Sequence, residues 1–207
     1  ADGTIAPDRG NGSLWCTAPA AKYLLDNEYN GLTTSAGLNS KNALKFENTY
    51  WWDFAKNTGY AVALKFSTEG AGANLSLNFT NSQGNAGGTS IYGPVYWQVE
   101  YSTDGVNFTV LPESGFCCRP FVYWQGAGGK DLSYCAVPGY ADRVFILPDA
   151  LRNRPEVTLL IKARSTQCIA SNTATVDQGD TGTITSDMAA NKRSPMRFGT
   201  IAVKSNK

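Results

Sequence analysis

Apolar and polar side chains alternate with a period of two along much of this chain. Asn74-Leu75-Ser76-Leu77-Asn78-Phe79-Thr80 keeps the rule without a fault, with Leu75, Leu77 and Phe79 on one side and Asn74, Ser76 and Asn78 on the other. That period marks a strand buried on one face. Val95-Tyr96-Trp97-Gln98-Val99-Glu100-Tyr101 repeats it, which predicts Val95, Trp97, Val99 and Tyr101 toward a core and Gln98 and Glu100 outward. Ser102-Thr103-Asp104-Gly105 is a turn signal, and Val106 to Val110 then returns as the second arm of a hairpin. Further strands are expected at Ala43 to Glu47, Tyr60 to Ser67, Arg143 to Leu147, Val157 to Ala163 and Phe198 to Val203, with Gly70-Ala71-Gly72 and Pro148-Asp149 as punctuation. No β-α-β alternation is visible. The pattern predicts an all-β fold, an antiparallel β-sandwich of jelly-roll type.

One short helix is expected near the start. Thr17 can cap it, Pro19 suits its first turn, Ala20 to Tyr29 holds helix formers, and Asn30-Gly31 stops it. A brief turn is expected at Asp149-Ala150-Leu151-Arg152. Two segments fit poorly as strands. Residues 112–142 combine Cys117, Cys118 and several glycines with Phe116, Phe121, Tyr123, Trp124, Tyr134 and Tyr140 around them, and residues 170–195 are rich in Ser, Thr, Asn, Asp and Gly. Long loops of this kind in a compact domain are commonly functional. The chain is read as one domain, with residues 1–39 packing on a sandwich formed by 40–207 and 112–142 as a long cysteine- and aromatic-rich loop.

Composition narrows the chemistry. Among the 207 residues there is no histidine. Ser-His-Asp and Cys-His nucleophiles, imidazole proton shuttles and His-based zinc sites are all excluded. Lys plus Arg is 18 against 17 for Asp plus Glu, a net charge of +1, which argues against a partner as anionic as nucleic acid. No stretch approaches the roughly 18 consecutive apolar residues of a membrane span. The opening Ala1-Asp2-Gly3-Thr4 is polar and no apolar h-region follows, so no signal peptide is read here. A chain whose leader has been removed reads the same way.

The 5 cysteines are Cys16, Cys117, Cys118, Cys135 and Cys168. They form no C-x-x-C pair, so a metal reading is weak. A bridge from Cys117 or Cys118 to Cys135, taken as Cys118–Cys135, would close the aromatic segment and stabilise it by a few kcal/mol. The other reading treats most of them as small buried hydrophobes. Asn11, Asn74, Asn78 and Asn107 begin Asn-x-Ser/Thr sequons, which arise often by chance in an Asn-rich chain. Gly126-Ala127-Gly128-Gly129-Lys130 fails as a phosphate loop, because Asp131 stands where Ser or Thr is needed. Asp177-Gln178-Gly179-Asp180 and Asp2 to Asn11 are acid-and-glycine loops without EF-hand spacing. Glu47, Asp53, Glu69 and Glu100 are the carboxylates on or near strands, and nothing singles out a catalytic pair among them.

Several segments carry a family resemblance. They are Ala43-Leu44-Lys45-Phe46, Gly59 to Ser67, Leu75 to Phe79, Val99-Glu100-Tyr101-Ser102-Thr103-Asp104-Gly105-Val106-Asn107-Phe108-Thr109, Leu147-Pro148-Asp149-Ala150-Leu151, and Arg197-Phe198-Gly199-Thr200-Ile201-Ala202-Val203. In this order they resemble the secreted jelly-roll module of Bacteroidetes surface proteins, which is similar to galactose-binding-like and MAM-like domains. The Tyr-Ser-Thr-Asp-Gly hairpin is its most specific piece. The resemblance covers roughly residues 40–111 and 143–203. It implies a non-catalytic carbohydrate-binding-like module that is secreted, periplasmic or at the cell surface. No cofactor is expected. The one ion it leaves room for is a structural calcium, and Gly199-Thr200 stands where relatives place the Asp-Asn that can help hold it.

An exposed aromatic face stacks on a sugar ring while nearby amides and acids hold the hydroxyls. Trp51 and Trp52 form the first such platform, and because neighbours on a strand point to opposite faces, one of them is expected in the core. Tyr123, Trp124 and Gln125 form the second, unless those rings plug a satellite core under their own loop. The expected ligand is a glycan. The alternative is a structural or protein-interaction module docking other envelope proteins without any glycan. A carboxylate glycosidase using Glu47 or Glu100 is the remaining reading.

Overall fold

The computed structural model describes residues 4–7, 10–19, 22–26, 43–47, 51–83, 93–118, 123–125, 132–134, 141–169, 181–186 and 196–206. These form strands β1 (Ser13–Cys16), β2 (Lys22–Asp26), β3 (Ala43–Glu47), β4 (Trp52–Asp53), β5 (Thr58–Gly59), β6 (Ala61–Phe66), β7 (Ala73–Gln83), β8 (Tyr96–Ser102) and β9 (Thr109–Val110). They continue as β10 (Phe116–Cys117), β11 (Tyr123–Gln125), β12 (Leu132–Tyr134), β13 (Ala141–Ile146), β14 (Val157–Ala163), β15 (Gln167–Ile169), β16 (Thr181–Thr183) and β17 (Met196–Asn206). A single 3-10 turn, Asp149–Leu151, is the helical element among the described residues.

Every ladder among the described residues is antiparallel. One sheet runs β1-β6-β14-β8-β10 with β9 also on β8, a second runs β13-β7-β17-β3-β2, and β4-β5, β11-β12 and β15-β16 are two-stranded. Both large sheets send side chains into the same core. Val62, Leu64, Trp97, Val99, Leu159 and Ile161 come from the first, and Phe46, Leu75, Leu77, Phe79, Met196 and Phe198 from the second. Edge-to-face ring pairs tie the sheets together: Phe79 meets Phe116 at 5.7 Å, and Trp51 meets both Trp97 at 5.1 Å and Phe46 at 6.4 Å. Each such pair adds roughly 0.5–1.5 kcal/mol beyond the area it buries.

The alternation read from the sequence places its side chains as expected on β7 and at Trp97 and Val99 of β8, all buried. Strands β3 and β14 have the predicted bounds. Three expectations are corrected. The helix over Ala20 to Tyr29 is not formed, because Lys22–Asp26 is strand β2, paired with β3 from Lys22↔Glu47 to Asp26↔Ala43. Thr17 caps no helix there; its Oγ1 accepts the N–H of Ala61 at 2.8 Å and its own N–H donates to the Ala61 carbonyl, so it finishes β6 instead. Glu100 does not face water, being 7% exposed against Lys162. Residues 112–142 are not all loop, since β10, β11 and β12 fall within them.

Residues of the N-terminal stretch belong to both sheets. β1 pairs with β6 from Ser13↔Lys65 to Cys16↔Val62, and β2 extends the second sheet beyond β3.

Candidate functional site

The adjacent tryptophans open the β4–β5 hairpin, and the backbone separates their fates. Trp51 has φ +63°, a left-handed conformation that is uncommon for a bulky residue. The twist turns its ring inward, where it is fully buried between Phe46 and Trp97. Strain of this kind costs about 1–3 kcal/mol, and burial of a whole indole offsets it. Trp51 therefore has no face left for a sugar. Trp52 is half-buried, with one side against the core.

Asp53 closes the hairpin turn. Its Oδ1 accepts the N–H groups of Ala55 and Lys56, both at 3.1 Å, which fixes the chain between β4 and β5. Lys56 Nζ lies 3.7 Å from Oδ2. The phenol of Tyr60 donates to the same carboxylate. Burial first, then the charge and hydrogen bond of Asp53, push the Tyr60 pKa above its usual value, with a smaller push from Cys16.

Cys16 links this group to a surface hollow. With Thr4, Ser13 and Trp15 it lines an open depression of about 350 Å³ along β1. Burial pushes the Cys16 thiol up to about 11, so at neutral pH it is a thiol and no nucleophile. Trp15 is half-buried and sits opposite Ala63 on β6. Trp15 is not among the residues that the sequence pattern singles out, and Leu14-Trp15-Cys16 is an unbroken apolar run, of which Leu14 and Cys16 pack on the core. The hollow thus meets Cys16, the influence of Cys16 reaches Tyr60, and Tyr60 meets Asp53, while Trp52 precedes Asp53 on β4 and packs against the core.

The other expected residues fall elsewhere. Tyr123, Trp124 and Gln125 make up β11, opposite Tyr134, Ser133 and Leu132 of β12. Cys135 lies outside the described residues, as do Asp177 to Asp180, Gly126 to Lys130, Asp2 and Asp8. Among the described residues no group of His, Cys, Asp and Glu is clustered to hold a metal. Glu100 is ion-paired with Lys162 Nζ at 3.0 Å and accepts Gln98 Nε2 at 2.8 Å. Burial also pushes the Cys168 thiol up.

The Tyr-Ser-Thr-Asp-Gly hairpin is built as a closed unit. Asp104 Oδ1 accepts the N–H of Val106 and of Asn107 and the Ser102 hydroxyl, each at 2.8 Å, and Oδ2 accepts Asn107 Nδ2 at 2.7 Å. The Asn107 amide, the backbone N–H groups and the Ser102 hydroxyl hold this carboxyl well below the usual range. Gly105 takes φ +72° at the tip. Every hydrogen bond the carboxylate accepts comes from its own loop, so the motif folds the turn.

No sequence profile of a known family matches the chain, and no curated protein sequence matches it. Among solved structures, the chain is similar to the K1 cleaved adhesin domain of Lys-gingipain from Porphyromonas gingivalis W83. Identity there is 12%, over 96% of this chain and 100% of that one, with a TM-score of 0.40. The K2 cleaved adhesin domain of Lys-gingipain gives 11% identity, 90% and 89% coverage and a TM-score of 0.35. Likenesses at these scores fix neither topology nor activity.

Proposed function

We propose that this chain is a non-catalytic β-sandwich module of jelly-roll type, secreted or displayed at a bacterial cell surface, that binds glycan. The observation that carries the reading is the group made by Trp15 at its hollow, Cys16, Tyr60 and Asp53, with Trp52 half-buried next to Asp53 in the chain. It joins half-buried indoles, which suit the C–H face of a sugar, to a phenol and a carboxylate, which suit its hydroxyls. Two sheets facing one another across a shared core support the sandwich. The chain's lack of histidine, the protonated Cys16 and the occupation of Glu100 in an ion pair with Lys162 support a binding role over catalysis. Tyr123, Trp124 and Gln125 on β11 are assigned a second contact with the same ligand, carried by their residue types alone.

Affinity electrophoresis through a panel of soluble polysaccharides tests this. Retardation of the wild type on at least one of them, abolished by Trp15→Ala with Trp52→Ala, is the expected result. Retardation lost only in Tyr123→Ala with Trp124→Ala would move the site to β11. No retardation on any polysaccharide removes the glycan and leaves the second reading, a protein-interaction module of the cell envelope. That reading is favoured by Val144 and Ile146, large apolar residues 62% and 68% exposed on one edge strand.

A further inference from the structure

The free edges of the two large sheets are not equally protected. On β1, Ile5 and Leu14 exchange both backbone hydrogen bonds, at 2.7 and 2.9 Å, so a second segment already covers that edge. On the far side of the same sheet, β9 and β10 are two residues each. Short or covered edges resist pairing with another chain. β13 is different. It runs 6 residues, Ala-Asp-Arg-Val-Phe-Ile, with neither proline nor lysine.

Its hydrogen-bond phase follows from one contact. Leu147 donates to the Leu75 carbonyl at 2.9 Å, so the register makes Phe145↔Leu77 and Arg143↔Phe79 the bonded pairs of β13 with β7. The intervening residues Asp142, Val144 and Ile146 then aim both N–H and C=O away from β7. These groups meet no partner among the described residues. Their side chains are exposed, while Arg143 and Phe145 turn toward the core.

We propose that β13 is a docking edge for a second copy of this chain, paired antiparallel across a two-fold axis. The edge is self-complementary in one register. Val144 opposite Ile146 of the copy, and Ile146 opposite its Val144, bring apolar side chains together twice on the same face and satisfy the outward backbone groups of these two residues in both copies. Asp142 then lies opposite Pro148 of the copy, and the two Asp142 carboxylates stand about 20 Å apart along the strands, beyond the screening length of physiological salt. Sliding to Val144 on Val144 sets each Ile146 against an acid, and sliding to Ile146 on Ile146 sets each Val144 against Pro148, which has no N–H to give, so the first register is favoured. The paired second sheets become one continuous sheet across both copies.

Sedimentation of the full chain over a range of concentrations is the test, with amide exchange read at the same points. The expected result is a monomer–dimer equilibrium in which the amides of Val144 and Ile146 gain protection as dimer forms. Val144→Lys and Ile146→Lys, singly, should each weaken association by roughly tenfold or more. Val106→Lys, at a residue 78% exposed in the β8–β9 turn, should leave it unchanged. A monomer at every concentration, or a dimer in which the Val144 and Ile146 amides exchange as fast as in monomer, overturns the proposal. Because the exchange readout needs no variant, a misfolded mutant cannot obscure the answer.

Discussion

The β4–β5 and β8–β9 hairpins solve one problem with one device and then diverge. In each, an aspartate Oδ1 accepts the N–H groups two and three residues ahead: Ala55 and Lys56 for Asp53, Val106 and Asn107 for Asp104. Asp104 accepts its other hydrogen bonds from Ser102 and Asn107, inside its own loop. Asp53 instead receives the Tyr60 phenol and the approach of Lys56. The flanking residues make the same contrast, since Trp51 drives a ring into the core while Thr103 is exposed. A shared turn chemistry therefore says little about role. A self-contained turn differs from one wired into the core and a surface hollow in where the second carboxylate oxygen and the flanking side chain go.

The largest expected difference lies in the core anchor. Trp51→Ala removes two ring contacts and leaves a cavity, which should destabilise the fold by about 3–5 kcal/mol in chemical denaturation. A loss under about 1 kcal/mol would mean that the β4–β5 hairpin is as autonomous as the other. Next come the glycines. A Cβ on Gly59 would run into the carbonyl oxygen of Ala163, which is backbone and cannot step aside. Gly59→Ala should cost about 3 kcal/mol by overpacking. Gly105 has only Glu156 Oε1 near its missing Cβ, at 3.9 Å, so Gly105→Ala should cost roughly 1 kcal/mol, from the left-handed backbone alone. Equal losses at the two glycines would erase the distinction between a backbone position pressed on β14 and a turn tip standing clear of it.

These contrasts explain what could and could not be read from the sequence. Leu75, Leu77 and Phe79 were legible because their strand has one core face and one wet face, so a period of two survives over its length. The Asp104 turn was legible because all its partners lie within three residues of it. Glu100 was not, because the cation that lets it stay buried is Lys162, 62 positions away and brought alongside only by the β8–β14 ladder. The segment after Pro19 has local preference for helix, and the hydrogen-bonding edge of β3 overrides it, which no window of the sequence contains. Trp51 and Trp52 were half legible. Alternation correctly sends one ring inward, but a positive φ at Trp51 is what decides which, and that depends on Phe46 and Trp97 being in place to receive it.

A smaller effect should follow at Asp53. Asp53→Asn keeps an acceptor for Ala55 and Lys56 but removes the charge beside the phenol. The Tyr60 pKa should fall part of the way back toward its usual 10.0, since burial is its first cause and stays. Phenolate absorbance against pH measures it. A raised phenol pKa contributes stability that is whole below the usual value and lost as pH rises through the raised one. The wild type should therefore lose stability at alkaline pH more steeply than Asp53→Asn. Identical phenol titrations would detach Asp53 from Tyr60, and with it the link from the β4–β5 hairpin to the hollow.

The smallest effect is expected at Asp104, and it is visible only as a pH dependence. The carboxyl is exposed, yet its hydrogen bonds hold its folded pKa below the ordinary value of 3.8. A depressed carboxylate pKa contributes stability that is present above the unfolded value and lost as pH falls through the folded one. Asp104→Asn retains an acceptor for the Val106 and Asn107 N–H groups while removing the charge. The urea midpoints of wild type and variant should thus differ at neutral pH and converge from about pH 4 downward. The same substitution should leave polysaccharide retardation and the Tyr60 titration untouched, because every bond Asp104 makes stays within its own turn. An offset in the urea midpoints that persists unchanged into acid would mean that the turn depends on the shape of the Asp104 side chain alone. Its charge, the feature that sets it apart from a neutral turn residue, would then contribute nothing.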